Sequence, residues 1–137
     1  MGLFSKKVNY PELSDEHPAA EQIENLKAPL EELADQVSDP LEIVPADNHA
    51  YVFIGKPPKK FGVALLEGES FKNFVALAKE KGLGAPTILS IIENLGDAYK
   101  HNQDSERYKI TVSGKDIVVT PCQKLEAQIA QIIQQSI

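Results

Sequence analysis

The residues of this chain best suited to chemistry are three histidines, one cysteine and three closely spaced lysines. His17, His49 and His101 fall in separate segments, and His101 has a carboxylate, Asp104, at a ligand-like spacing. One such pair does not make a metal site, so no metal is expected. Cys122 stands at the head of the last helical segment, where the helix dipole lowers a thiol's pKa. A lone cysteine more often packs as a small apolar residue, and that reading is preferred here. Lys56, Lys59 and Lys60 crowd the stretch Gly55-Lys56-Pro57-Pro58-Lys59-Lys60 between two strand-like runs. Three cations on one tip suit contact with an anion or an acidic partner. The competing and preferred reading is a soluble turn whose charges discourage edge pairing. It is not a phosphate-binding P-loop, because the glycine spacing is wrong and no Ser or Thr follows the lysines.

No nucleophile elbow, His-Glu-x-x-His pair, dinucleotide-binding glycine pattern or Cys-x-x-Cys pair occurs. Carboxylate pairs that assemble only in space leave no sequence signature, so a small unsignposted enzyme stays as an alternative. No cofactor is expected. The formal net charge is −6, and its location matters more than its size. Residues 1–40 hold three lysines and nine acids, whereas residues 41–137 hold eleven basic and eleven acidic residues. A neutral body behind an acidic front argues against general nucleic-acid binding, which draws on phosphate neutralisation.

At 137 residues, one domain is expected. No apolar run is long enough to cross a membrane. A single cysteine fits a reducing compartment, and the cytoplasm is the expected location. Residues 1–14 show no period and read as a flexible tail. Residues 15–137 read as one α+β domain: an acidic helical front segment, 15–40, and the neutral body, 41–137.

The elements that must position these residues follow from periodicity. Ile23, Leu26, Leu30, Leu33 and Val37 recur at helical spacing over 15–38. Asp15 or Ser14 suits the cap, and Pro29 should kink or split the helix. Leu41–Val44, Ala50–Ile54 and Phe61–Leu66 read as strands, the last two apolar on both faces. Ser70 would cap a helix bearing Phe71, Phe74, Val75 and Ala78, which Gly82 ends in a left-handed turn. A second helix runs from about Thr87 to His101. Ser113-Gly114-Lys115-Asp116 joins two strands, and a loop at 113–114 or at 114–115 satisfies the pattern equally. Residues 122–137 form a last helix, uncharged after Glu126. The expected order is α-βββ-αα-ββ-α, with a mainly antiparallel five-stranded sheet packed against helices.

The stretch Leu77–Ile91 resembles a helix-turn-helix, with Ala78, Gly82, Leu83, Ile88 and Ile91 at the spacings such units use. Lys81 departs from the apolar residue usual before the turn glycine. The second helix would offer a groove no Arg, Asn or Gln, and Glu93 repels phosphate. Two amphipathic helices joined by a glycine turn is the preferred reading. The element order, small size and acidity are similar to those of the chaperones that escort type III secretion substrates. That resemblance implies a dimer without enzymatic activity. The leading expectation is a non-enzymatic protein–protein interaction or chaperone-like module, binding another protein or itself as a homodimer. Its expected association surface is Ile23, Leu26, Leu30 and Leu33 of the front helix with Ile129, Ile132 and Ile133 of the last. The alternatives are a helix-turn-helix-like nucleic-acid-associated protein and a small enzyme.

Overall fold

Proline placement decides how the front segment folds. Pro29 has no N–H for the carbonyl of Asn25, and its ring crowds that carbonyl. The helix accordingly breaks there, into α1 (Pro18–Glu24) and α2 (Lys27–Gln36). His17 caps α1, its Nδ1 accepting from the Ala19 N–H at 3.0 Å, in place of the expected Asp15 or Ser14. The computed structural model describes residues 10–57 and 59–136.

The strands are β1 (Leu41–Pro45), β2 (His49–Lys56), β3 (Lys60–Glu67), β4 (Ser70–Asn73), β5 (Tyr108–Val112) and β6 (Lys115–Val119). They form one six-stranded sheet in the order β4-β3-β2-β1-β6-β5. Every neighbouring pair is antiparallel except β1 with β6, which run parallel. The fold is α+β, as expected, with one strand more than the sequence suggested. Ser70 does not cap a helix; Ser70–Asn73 pairs with β3 as an edge strand. The helix α3 (Phe74–Glu80) begins at Asn73, whose Oδ1 accepts from the N–H groups of Val75 and Ala76.

Helices cover both faces of the sheet. Strand side chains alternate between faces, so Ile43 and Val52 pack under α1 and α2, while Val44 and Phe53 pack under the other layer. That second layer is α3, α4 (Ala85–His101) and α5 (Gln123–Ser136). Two-sided cover explains why β2 and β3 are apolar on both faces. The β5–β6 loop is 113–114, with Ile110 opposite Ile117. Ser113 and Gly114 both have positive φ, 52° and 79°, as a tight hairpin turn requires. Gly82 ends α3 at φ 84°, as expected.

The expected front seam is spent inside the chain. Ile23, Leu26, Leu30 and Leu33 are buried against the sheet, and Ile129 and Ile133 are buried in the second layer. Ile132 is half-buried beside them. Six of the seven residues of the expected association surface are thus buried in the core of the folded chain. Residues 1–9 of the expected tail lie outside the described residues, but Pro11 and Leu13 bond the backbone of Lys109 at 2.9 and 3.0 Å, lengthening the sheet edge beside β5.

Candidate functional site

The three lysines come together at the β2–β3 tip. Lys56 and Lys60 are direct cross-strand partners, and all three lysines are exposed. Like charges set directly opposite each other are unfavourable in a sheet, so the tip carries electrostatic strain. The hairpin closes tightly because residue 55 is glycine. Its φ is +108°, and a Cβ there would lie 2.7 Å from the Lys60 carbonyl oxygen.

A cleft of about 520 Å³ opens beside the tip. Lys56 and Lys60 rim one side, and Asp39 and Pro40 the other. Ile54 and the bare backbone of Gly62, its cross-strand partner, lie between them. The far rim is pinned twice. The Gly55 N–H donates to the Pro40 carbonyl at 2.8 Å. Lys115 Nζ donates to the carbonyls of Val37 and Asp39 at 2.6 and 2.5 Å. Burial lowers the Lys115 pKa, against a smaller raising effect of Asp39.

A second, larger cleft of about 690 Å³ lies at the opposite end of β1, where β1 finishes at Pro45 and Pro121 follows the end of β6. His17 and Gln22 come to it from the α1 side, Asp47 from the β1–β2 turn, and Gln123 and Glu126 from α5. Gln22 donates to Asp47 at 2.8 Å, and Glu126 meets the His49 ring at 3.0 Å.

Between the sheet and α4 sits a closed polar hub, which sequence reasoning missed. Glu42, on β1, accepts from Tyr99 at 2.7 Å, from Arg107 Nε at 3.0 Å and from Thr120 at 2.5 Å. Arg107 Nη1 donates to the carbonyls of Gln103 and Ser105 at 2.8 and 3.2 Å. Its guanidinium lies 5.4 Å from the Tyr99 ring centre. Burial, then the charge and hydrogen bond of Glu42, push the Tyr99 pKa far up. The one sequence signal was Glu42 inside an otherwise apolar strand, Leu41-Glu42-Ile43-Val44. Among the described residues no buried side-chain nitrogen or oxygen lacks a hydrogen-bond partner. The hub is thus a strut tying β1 to the α4–β5 connection and to the end of β6.

Cys122 is half-buried at the start of α5 and is more than an apolar filler. Its Sγ accepts from the Leu125 N–H at 3.4 Å and from Ser105 Oγ at 3.2 Å. His101 is exposed at the end of α4. Among the described residues no group of three or more His, Cys, Asp or Glu is placed to hold a metal ion. Among them, too, no helix is long and apolar enough to cross a membrane.

The Leu77–Ile91 stretch does fold as two helices around a turn at Gly82. The residues of α4 that would meet a groove, Thr87, Leu89, Ser90 and Glu93, are exposed and carry no positive charge.

No protein-family model matches this chain, and neither a curated protein nor a solved structure matches it.

Proposed function

We propose that this chain is a non-enzymatic protein-interaction module of the cytoplasm that holds an acidic segment of a partner protein at the β2–β3 tip. The observation that carries the reading is Lys56 set directly opposite Lys60, with Lys59 beside them, on an exposed tip. Acidic side chains brought between these lysines relieve their mutual repulsion. The adjoining Ile54–Gly62 surface accepts a short apolar side chain next to them.

The closed hub supports the non-enzymatic half of the reading. Glu42 and Arg107 would otherwise be the strongest acid–base pair, and their hydrogen bonds are made within the protein. Self-association through the helix seams is no longer part of the reading, because those side chains fill the core.

The test is affinity capture from native-host lysate with the full chain and with a Lys56→Ser, Lys59→Ser, Lys60→Ser variant. The expected result is a specific protein retained by the wild type, released by salt and lost with the variant. Identical capture by both forms would overturn the reading. Retention of nucleic acid in place of protein would turn it toward phosphate binding.

A further inference from the structure

We propose that the lysine tip and the cleft beside it dock a second copy of this chain, whose acidic α2 face meets Lys56, Lys59 and Lys60. The inference rests on the reading of the tip as an acidic-partner site, and it names that partner.

Charge placement is the first argument. No lysine or arginine occurs between Lys27 and Lys56, whereas Glu31, Glu32, Asp35 and Asp39 follow one another over 31–39. Leu30, Leu33 and Ala34 are buried, which turns one side of α2 to the sheet. The other side shows Glu32 and Asp35 exposed, with Glu31 half-exposed beside them. The last turn of α2 holds no basic residue. Acids there face the negative end of the helix dipole, a position that a cation from outside relieves. Lys115 Nζ nearby serves the backbone carbonyls of Val37 and Asp39 and pairs with none of these carboxylates.

Both patches also lack partners in their own chain. Among the described residues the ion pairs are His49 with Glu126 and Arg107 with Glu42. The side chains of Lys56, Lys59, Lys60, Glu31, Glu32 and Asp35 make no ion pair or hydrogen bond there. Each patch therefore keeps its own repulsion, and each carries the charge that would relieve the other.

Geometry sets the two patches side by side. Strand alternation puts Lys56 and Lys60 on the same side of the sheet as Ile54 and Gly62, which is the side that α2 covers. Asp39 and Pro40, just beyond the end of α2, form the opposite rim of the cleft. With both patches on one face, a single two-fold axis brings each tip to the other copy's α2 and closes the pair. Two copies of net charge −6 repel, but screening confines that repulsion to about 8 Å at physiological salt, so the local match decides. Exposed ion pairs contribute little singly, so the contact is weak and salt-sensitive.

The experiment is sedimentation velocity of the full chain from about 10 μM to about 1 mM. The expected result is a monomer–dimer equilibrium at about 20 mM salt, weakened about ten-fold or more at about 500 mM. One variant carries Lys56→Glu, Lys59→Glu and Lys60→Glu; the other carries Glu31→Lys, Glu32→Lys and Asp35→Lys. Each alone should be monomeric, and an equimolar mixture should dimerise again, because each reversed patch then meets its complement. Should a triple variant misfold, Lys59→Glu and Glu32→Lys decide in the same way, since both positions are exposed. A dimer that either variant keeps alone, or variants that stay apart when mixed, would overturn the proposal. A strictly monomeric wild type that still captures an acidic protein through its lysines overturns this inference and leaves the reading of the tip intact. Capture that ignores the lysines overturns the reading itself.

Discussion

The carboxylate of Glu42 accepts the Nε–H of Arg107 at 3.0 Å from a residue 65 positions later in the chain. Both side chains are almost wholly enclosed, at 11 % and 6 % exposure. An ion pair taken out of water survives only where its remaining donors and acceptors are met. Here Tyr99, Thr120 and two carbonyls meet them.

Breaking this pair leaves a buried charge without its partner. Arg107→Ala is therefore expected to cost about 3–5 kcal/mol. Removing Glu42 as well should cost less than the two single losses summed, because each single variant strands the other charge. Urea unfolding midpoints of the two single variants and the double variant check this.

The Tyr99 hydroxyl makes stability depend on alkaline pH. Its pKa is raised above the ordinary 10.0, first by burial and then by Glu42. The folded state thus keeps its proton where the unfolded chain loses it. The stabilising contribution is whole below about pH 10 and declines as pH rises beyond it. Tyr99→Phe should flatten that decline, leaving the smaller parts due to Tyr51, raised by burial and then by Glu126 and Glu67, and to Tyr108, raised first by its hydrogen bond to Glu106. Unfolding measured between about pH 9 and about pH 11 distinguishes the two proteins.

Leu33, 1 % exposed, packs under the sheet. Leu33→Ala should cost about 2–5 kcal/mol in stability. It should leave the association state of the folded protein unchanged, as sedimentation velocity would show. A change of oligomer without loss of stability would restore the seam as an interface.

Gly55 sets the geometry of the lysine tip. Gly55→Ala meets both a left-handed φ and the Lys60 carbonyl. It should cost about 1–3 kcal/mol. It should also weaken partner capture while all three lysines remain, which thermal unfolding and capture read separately.

Much of the element order was legible. Ile23, Leu26, Leu30 and Leu33 announce a helix because one face of a helix repeats every three to four residues. Pro29 announces its break because a missing N–H is a local fact. The strand runs and the Gly82 turn were visible for similar reasons. β4 was not, because Phe71 and Phe74 are three apart and mimic a helical face. In the fold they lie on opposite sides of the sheet. The Asn73 cap was the signal that separates them.

The candidate sites divide in the same way. The lysine tip could be read directly, since Lys56, Lys59 and Lys60 are neighbours in sequence. The Glu42 hub and the cleft of His17, Asp47 and Glu126 could not, since residues far apart in sequence meet there. Local chemistry determined caps, breaks, turns and the periodicity of each buried face. Tertiary structure decided what those faces touch. Periodicity shows that Leu30 and Ile129 must leave water, but not whether they do so against this sheet or against a second chain. The choice of the 113–114 loop likewise came from tertiary structure, which brings Ile110 opposite Ile117 with Ile117 in the core. Burial is a property of the assembled layers, and only their assembly distinguishes a core from an interface.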